Sequence, residues 1–255
     1  MKIVVAVKVV PDDQDIVVAS DRNLDYSKAH QIISTYDLNA IEAAAQTAEA
    51  CGASVVAISA SKKAADDLKV KKSILSRGID ELFMVADDAM DDAESRPTAK
   101  VLQALLGQVG DYDLILCGDG SADNYAGQVD VQLASLLGIP VVNGVTALRV
   151  EDGKAIVERT FDTEVEEVEV SLPAIVSVSP DIAVPRIAGM REILAAGKKP
   201  AAIQTLDEVG VSIDSAFQVE EVKAPELAER KNEIFDMSKD GDFDSFVAVV
   251  TEALR

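Results

Sequence analysis

Cysteine is scarce in this chain of 255 residues, with two in all, Cys51 and Cys117, far apart and outside any C-x-x-C motif. That spacing argues against a disulfide framework, a zinc site and an iron–sulfur site. It fits two reduced core thiols in a cytoplasmic protein. Histidine occurs once, as His30, on an expected loop with no Ser or Cys partner in its sequence context. H-E-x-x-H is absent, and so is G-x-x-x-x-G-K-[ST], which excludes a Walker-type ATPase. G-x-G-x-x-G is missing too, against a conventional dinucleotide Rossmann domain, as is the S-G-G-x-D-S loop of ATP-using adenylating enzymes. No apolar run approaches the ~18 residues of a membrane span. After Lys2 there is only a short apolar stretch and no A-x-A-like site, so no signal peptide is expected. Basic residues are the minority, 24 against 45 acidic, for a net charge of −21. Such a field repels nucleic acid. It suits solubility or docking to basic protein surfaces.

What is present is a regular alternation over the first 140 residues. Ile3–Val10 is a continuous apolar run, as in a buried parallel strand. Asp37–Cys51 reads as a helix, with Ser34 and Asp37 as an S-x-x-D capping signal and Gly52 as C-cap. Ser54–Ser59 is the second strand, and Ser61 is placed to cap a helix that ends near Gly78. Leu82–Val85 is the third strand. Pro97 suits the first turn of a helix that buries Val101, Leu102, Leu105 and Leu106. Asp113–Cys117 is the fourth strand. A Gly-rich turn leads to a helix with Val129, Leu133 and Leu136 inward, stopped at Gly138, and Pro140–Val142 starts a fifth strand. The pattern calls for a doubly wound α/β fold with a mostly parallel sheet. Ligands of such sheets bind beyond the carboxyl ends of the strands. The loops after Val10, Ser59 and Cys117 are therefore the ones to inspect.

The pattern changes after Gly144. Lys154–Phe161 and Val165–Leu172 read as an antiparallel hairpin with one wet face, joined by Asp162–Glu164. The acidic run 162–169 reads as solvated. Ala174–Val178 is another buried strand. The regular pattern weakens between Pro180 and Gly241, as in a segment that wraps something. The chain closes in an amphipathic helix with Asp242 as N-cap and Phe243, Phe246, Val247, Val250 and Leu254 on one face. The expected organisation is an α/β domain over 1–184, an arm over 185–241 and a docking helix over 242–255.

The clearest chemical candidate is the loop Cys117-Gly118-Asp119-Gly120-Ser121-Ala122-Asp123-Asn124-Tyr125-Ala126-Gly127-Gln128-Val129. Its glycines allow a close backbone approach. Free amides near Gly127, Gln128 and Val129 could hold a phosphate at a helix start. The same loop could equally be a tight turn.

Val4-Val5-Ala6-Val7-Lys8-Val9-Val10-Pro11-Asp12 resembles the opening of electron-transfer flavoprotein β subunits. Ser34-Thr35-Tyr36-Asp37-Leu38-Asn39-Ala40-Ile41-Glu42 is similar to their next motif, and Leu75-Ser76-Arg77-Gly78-Ile79-Asp80-Glu81 to their helix end. Val157-Glu158-Arg159, Leu172-Pro173-Ala174-Ile175-Val176, Pro185-Arg186 and Met190 through Lys198-Lys199-Pro200 extend the likeness along nearly the whole chain. The wording is nearest the FixA-type branch. Two departures stand out. Thr160 follows V-E-R where many members have an acid, and Ser34-Thr35-Tyr36-Asp37 replaces N-P-x-x, which leaves the bound nucleotide open.

The resemblance implies a sheet of the adenine nucleotide alpha hydrolase-like type. It also implies a heterodimer with a FixB-like α subunit that holds the redox FAD. In this chain it implies AMP or, in electron-bifurcating members, a second FAD. By position the nucleotide would meet Ala6, Ser34, Thr35, Tyr36, Asp37 and Ala60. The loop Gly118, Asp119, Gly120, Ser121, Ala122, Asp123, Asn124, Tyr125, Ala126, Gly127, Gln128 and Val129 would hold its phosphate. Met190 falls in the family's partner-recognition loop, where a flexible apolar side chain suits docking; it could also pack under the arm. Redox partners would be a dehydrogenase or a FixC/FixX-like quinone oxidoreductase, or NADH and ferredoxin or flavodoxin by bifurcation. No catalytic side chain and no metal are expected. The alternatives are a stand-alone adenine-nucleotide sensor resembling universal stress proteins, which would not need the region after Gly144, and a structural subunit with an empty loop.

Overall fold

A computed structural model of the chain describes residues 1–91, 93–214, 219–227, 230 and 232–254. In order the elements are β1 Lys2–Ala6, β2 Val9–Pro11, β3 Val17–Val18, β4 Leu24–Asp25, β5 Gln31–Ile33, α1 Thr35–Cys51, β6 Ser54–Ser61, α2 Leu68–Leu75 and β7 Glu81–Ala86. Then follow α3 Ser95–Val109, β8 Leu114–Gly118, α4 Val129–Leu137, β9 Val141–Val145, β10 Ala147–Glu151, β11 Lys154–Thr160, β12 Val165–Ser171, β13 Ala174–Val178, α5 Met190–Ala196, β14 Ala201–Gln204 and α6 Asp242–Ala253.

Seven strands form one sheet in the order β14-β7-β6-β1-β8-β13-β9, and the pairs within it are parallel. Its central strands are buried on both faces, which is why Ile3–Val5 and Leu114–Leu116 read as unbroken apolar runs. Helices α1 and α2 cover one face and α3 and α4 the other, each with its own apolar cluster. Strand order runs outward from β1 through β6 and β7, then returns to the other side of β1 at β8. The reversal lies between β1 and β8, where ligands of such sheets bind. The expected doubly wound α/β class, with an added antiparallel hairpin and a terminal helix, is the observed one.

Several expectations change. The run Ile3–Val10 is two strands. β1 ends at Ala6, because the amide of Lys8 turns to the Asp37 carboxylate, and β2 pairs with β5 as a separate ribbon. Ser34 occupies the N-cap position of α1, but its side chain caps nothing there. Its Oγ accepts instead from the amide of Ala122, at 3.2 Å, and its own amide donates to Lys8 O. Gly52 is the expected left-handed C-cap, with φ of 70°. Ser61 is not a cap. It ends β6, within 3.0 Å of Ser59 Oγ, and Asp67 caps α2 by accepting from Lys69 N and Val70 N. Asp242 is the first helical residue of α6, with Gly241 before it as the cap residue.

The expected hairpin is β11 and β12, and β10 adds an unforeseen third strand on β11. Its glutamates are paired across strands, Glu167 to Arg149 and Glu169 to Lys154 on one face and Glu166 to Arg159 on the other. β13 then inserts between β8 and β9. The sheet does not stop at 184: β14, from the expected arm, pairs with β7. Within the expected arm and helix, 215–218, 228, 229, 231 and 255 lie outside the described residues. No helix among the described residues is long and apolar enough to cross a membrane.

Candidate functional site

Three adjacent strands, β6, β1 and β8, run toward their carboxyl ends through small residues, Ala60, Ala6 and Gly118. With no bulky side chain there, the sheet edge opens into a cleft of about 650 Å³. That size lies within the usual range for small-molecule sites. One wall is the loop after β8 and the start of α4. The other is the start of α3, from Ala93 to Thr98, with Leu102 behind it.

Asp37 ties the cleft together. It sits in the first turn of α1, buried, and its Oδ2 accepts from Lys8 N at 2.7 Å while Oδ1 accepts from Gly118 N at 3.2 Å. Burial pushes its carboxyl up to about 7, although the Lys8 and Gly118 amides and the Lys8 charge pull the other way. Gly118 has no room for a side chain, because a Cβ would lie 2.8 Å from Tyr36 Cβ and 3.0 Å from Asp37 Oδ1. Gly120 is equally constrained, since a Cβ there would overlap the Tyr125 ring. That ring packs on Tyr36 with centroids 5.1 Å apart, and its hydroxyl donates to Asp119 Oδ2 at 3.1 Å.

Lys8 reaches the same loop, with Nζ 2.7 Å from Asp123 Oδ2. Burial works against ionisation of Asp123, but hydrogen bonds from Lys8 and Ser121 outweigh it and hold the carboxyl below its usual range. Burial, then the charges of Asp130 and Asp37, push the Cys117 thiol well up, so it is protonated and inert as a nucleophile. Burial also raises the Asp130 carboxyl. His30 lies elsewhere, exposed, with Nδ1 2.7 Å from Asp15 Oδ2. No cluster of three or more metal-ligating side chains occurs among the described residues.

Of the residues expected at the site, Ala6, Asp37, Ala60, Gly118, Asp119, Gly120, Ser121, Asn124, Ala126, Gly127, Gln128 and Val129 line the cleft. Ser34, Tyr36, Ala122, Asp123 and Tyr125 stand behind that lining and hold it, through the contacts above. Thr35 begins α1. Sequence reasoning missed Lys8, Glu94, Ser95, Arg96, Thr98, Asp130 and Gln132. The α3 residues were findable. They follow the carboxyl end of β7, and the rule applied to three strand ends applies there too.

The lining fits a nucleotide. The N-cap residue Gln128 makes no side-chain cap, and the Asp130 carboxyl takes the amides of Val131 and of Asp130 itself, so the amides that face a ligand are those of Gly127, Gln128 and Val129, with Gly127 in the left-handed region (φ 60°). Two acceptors on the wall, Asp119 Oδ1 and Gln132 Oε1, are buried without a donor. Ribose hydroxyls and an adenine amine carry such donors.

The model for the electron transfer flavoprotein domain matches residues 23–209. The chain belongs to the electron transfer flavoprotein family. The matched stretch runs from β4 past β14 and takes in residues 145–209 of the region after Gly144. A compact nucleotide sensor has no use for that region.

In this flavoprotein chain a second surface lies beyond α1. Asn39 Nδ2 donates to the carbonyls of Pro180 and Ala183, at 3.1 and 2.8 Å. Arg186 donates through its amide and Nε to Glu42 Oε2, and through its guanidinium to Glu42 Oε1 and Glu49 Oε1. The stapled segment presents Val184, Ile187 and Met190 outward, 88%, 95% and 73% exposed. Met190 opens α5, and among the described residues it is not buried under the arm. The apolar face of α6 is also exposed, at Phe243, Phe246, Val247, Val250 and Leu254.

Proposed function

We propose that this chain is the β-type, nucleotide-binding subunit of a heterodimeric, cytoplasmic electron transfer flavoprotein, bound to a FixB-like α subunit. The observation that carries the reading is the cleft at the β1/β8 reversal, floored by Ala6 and Ala60 and edged by a glycine loop that runs into the start of α4. An adenine nucleotide lies on this floor, with its phosphate toward Gly127–Val129. The chain contributes binding and orientation and no catalytic side chain. The FAD of the complex supplies the redox chemistry, and the protein positions it. The exposed apolar segment at Val184, Ile187 and Met190 docks a redox partner, either a dehydrogenase or a FixC/FixX-like quinone oxidoreductase. The apolar face of α6 docks the α subunit.

The nucleotide is AMP in a simple electron shuttle and a second FAD in a bifurcating complex fed by NADH and coupled to ferredoxin or flavodoxin. The far wall of the cleft, built by the start of α3, favours a ligand longer than a mononucleotide. The test is to co-express the chain with its α-type partner, denature the purified complex and count FAD and AMP. Two FAD without AMP supports bifurcation, and one of each supports the shuttle. A complex holding only the FAD of the partner overturns the nucleotide role.

A further inference from the structure

Among the described residues two cationic side chains line the cleft, Lys8 and Arg96. Lys8 is committed, since its ammonium sits 2.7 Å from Asp123. Arg96 is exposed, on the first turn of α3, and its side chain makes no ion pair or hydrogen bond among the described residues. An uncommitted arginine is conspicuous in a protein of net charge −21, where carboxylates are in large excess. The loop amides and the start of α4 already offer a place for one phosphate on the opposite wall. Arg96 lines the same cleft, from the start of α3. Its planar fork of donors matches phosphate oxygens in a way that backbone amides on the other wall cannot extend.

We propose that Arg96 is the specificity-determining residue of the cleft, reading a second phosphate group, so that the site prefers an adenine nucleotide with a pyrophosphate over a monophosphate. The inference rests on the nucleotide reading of the cleft. The pyrophosphate lies between the two walls, its first phosphate on the amides near Gly127 and its second on the guanidinium. Because Arg96 is exposed and its side chain is otherwise unbonded, its replacement leaves the fold intact.

The experiment uses the full chain in the complex with its partner subunit. AMP and ADP compete against a fluorescent AMP analogue, in the native protein and in Arg96→Gln and Arg96→Lys. In the native complex ADP is expected to bind on the order of tenfold tighter than AMP, the gain of one charge-assisted contact. Arg96→Gln brings the two affinities to within about twofold by weakening ADP alone, since that contact is lost. Arg96→Lys keeps part of the preference, because charge remains and the fork does not. A native protein without preference, a preference that survives Arg96→Gln, or an equal loss of AMP and ADP overturns the inference. Failure of the analogue to bind the native complex, or to be displaced by either nucleotide, removes the nucleotide reading itself and the inference with it.

Discussion

The carboxylate of Asp37 joins two loops that are far apart in sequence: Oδ1 accepts from the amide of Gly118 at 3.2 Å, and Oδ2 from that of Lys8 at 2.7 Å. This one side chain bridges the segments that leave β1 and β8 at the cleft. Asp37→Asn keeps the shape but replaces one acceptor with a donor that faces an amide. The substitution is expected to cost about 1–3 kcal/mol of stability, as for a buried donor left unpaired. On the proposed nucleotide role it is also expected to speed nucleotide release. Thermal unfolding and a release assay on the same preparation check both.

The same residue gives a pH signature. Burial holds its carboxyl near 7 in the folded state, well above its unfolded value. Between the two values the folded protein binds the extra proton, so this contribution to stability is greatest at low pH and is lost as pH rises through about 7. Asp123 and Glu42, whose carboxyls are held low, contribute in the opposite sense, losing stability as pH falls. The difference between native protein and Asp37→Asn isolates the first component. The stability advantage of the native protein should shrink from mildly acidic to neutral pH, as followed by denaturant unfolding at each pH. A difference that stays constant over that range contradicts the assignment.

Gly118 tests the closeness of the two loops. Gly118→Ala drives a methyl against Tyr36 and Asp37 and is expected to cost about 1–3 kcal/mol as an overpacked position, while loosening nucleotide binding. Gly107 is the control. It lies inside α3 with open space around the missing Cβ. Gly107→Ala should be neutral or stabilising by up to about 1 kcal/mol, the helix preference of Ala over Gly. Paired unfolding curves read both.

Arg186 gives a test of the exposed segment proposed to meet the redox partner. Its guanidinium is about a third exposed, whereas its partner Glu42 is nearly buried. Arg186→Gln is expected to cost about 1–2 kcal/mol, the modest end for a charged hydrogen-bond network. It should weaken binding of the redox partner without changing nucleotide content. Met190→Asp should leave stability within about 0.5 kcal/mol, as an exposed substitution. It should weaken the same partner on the order of tenfold, if the apolar segment is an interface anchor. Binding measured by surface plasmon resonance, beside a nucleotide count, distinguishes the two effects.

Much of this was legible in sequence because the sheet is buried on both faces. Ile3–Val5, Val55–Ile58 and Leu114–Leu116 leave no alternation to confuse, and Gly52 and Gly138 punctuate the helices where left-handed backbone is required. The floor was legible through the family resemblance, which placed Ala6 and Ala60 at the nucleotide, whereas the apolar pattern alone carried the first strand on to Val10. What escaped is tertiary. Ser34 and Asp37 have the local spacing of a helix cap, yet their oxygens serve amides of other loops, which no local pattern reveals. Lys8 looked like part of a strand until its amide was claimed from outside. β14 looked like arm because a short edge strand, Ala201–Gln204, carries too few residues for a pattern. Arg96 escaped because the loop after β7 was not among the strand ends chosen for inspection.

The most direct measurement is photolabelling of the purified complex with an azidoadenine nucleotide, followed by peptide mapping of this chain. Label is expected on the peptides that carry Ala6, Ala60 or Gly118–Val129, and excess AMP should suppress it. Label confined to other peptides, or indifferent to AMP, would contradict the nucleotide cleft between β1 and β8.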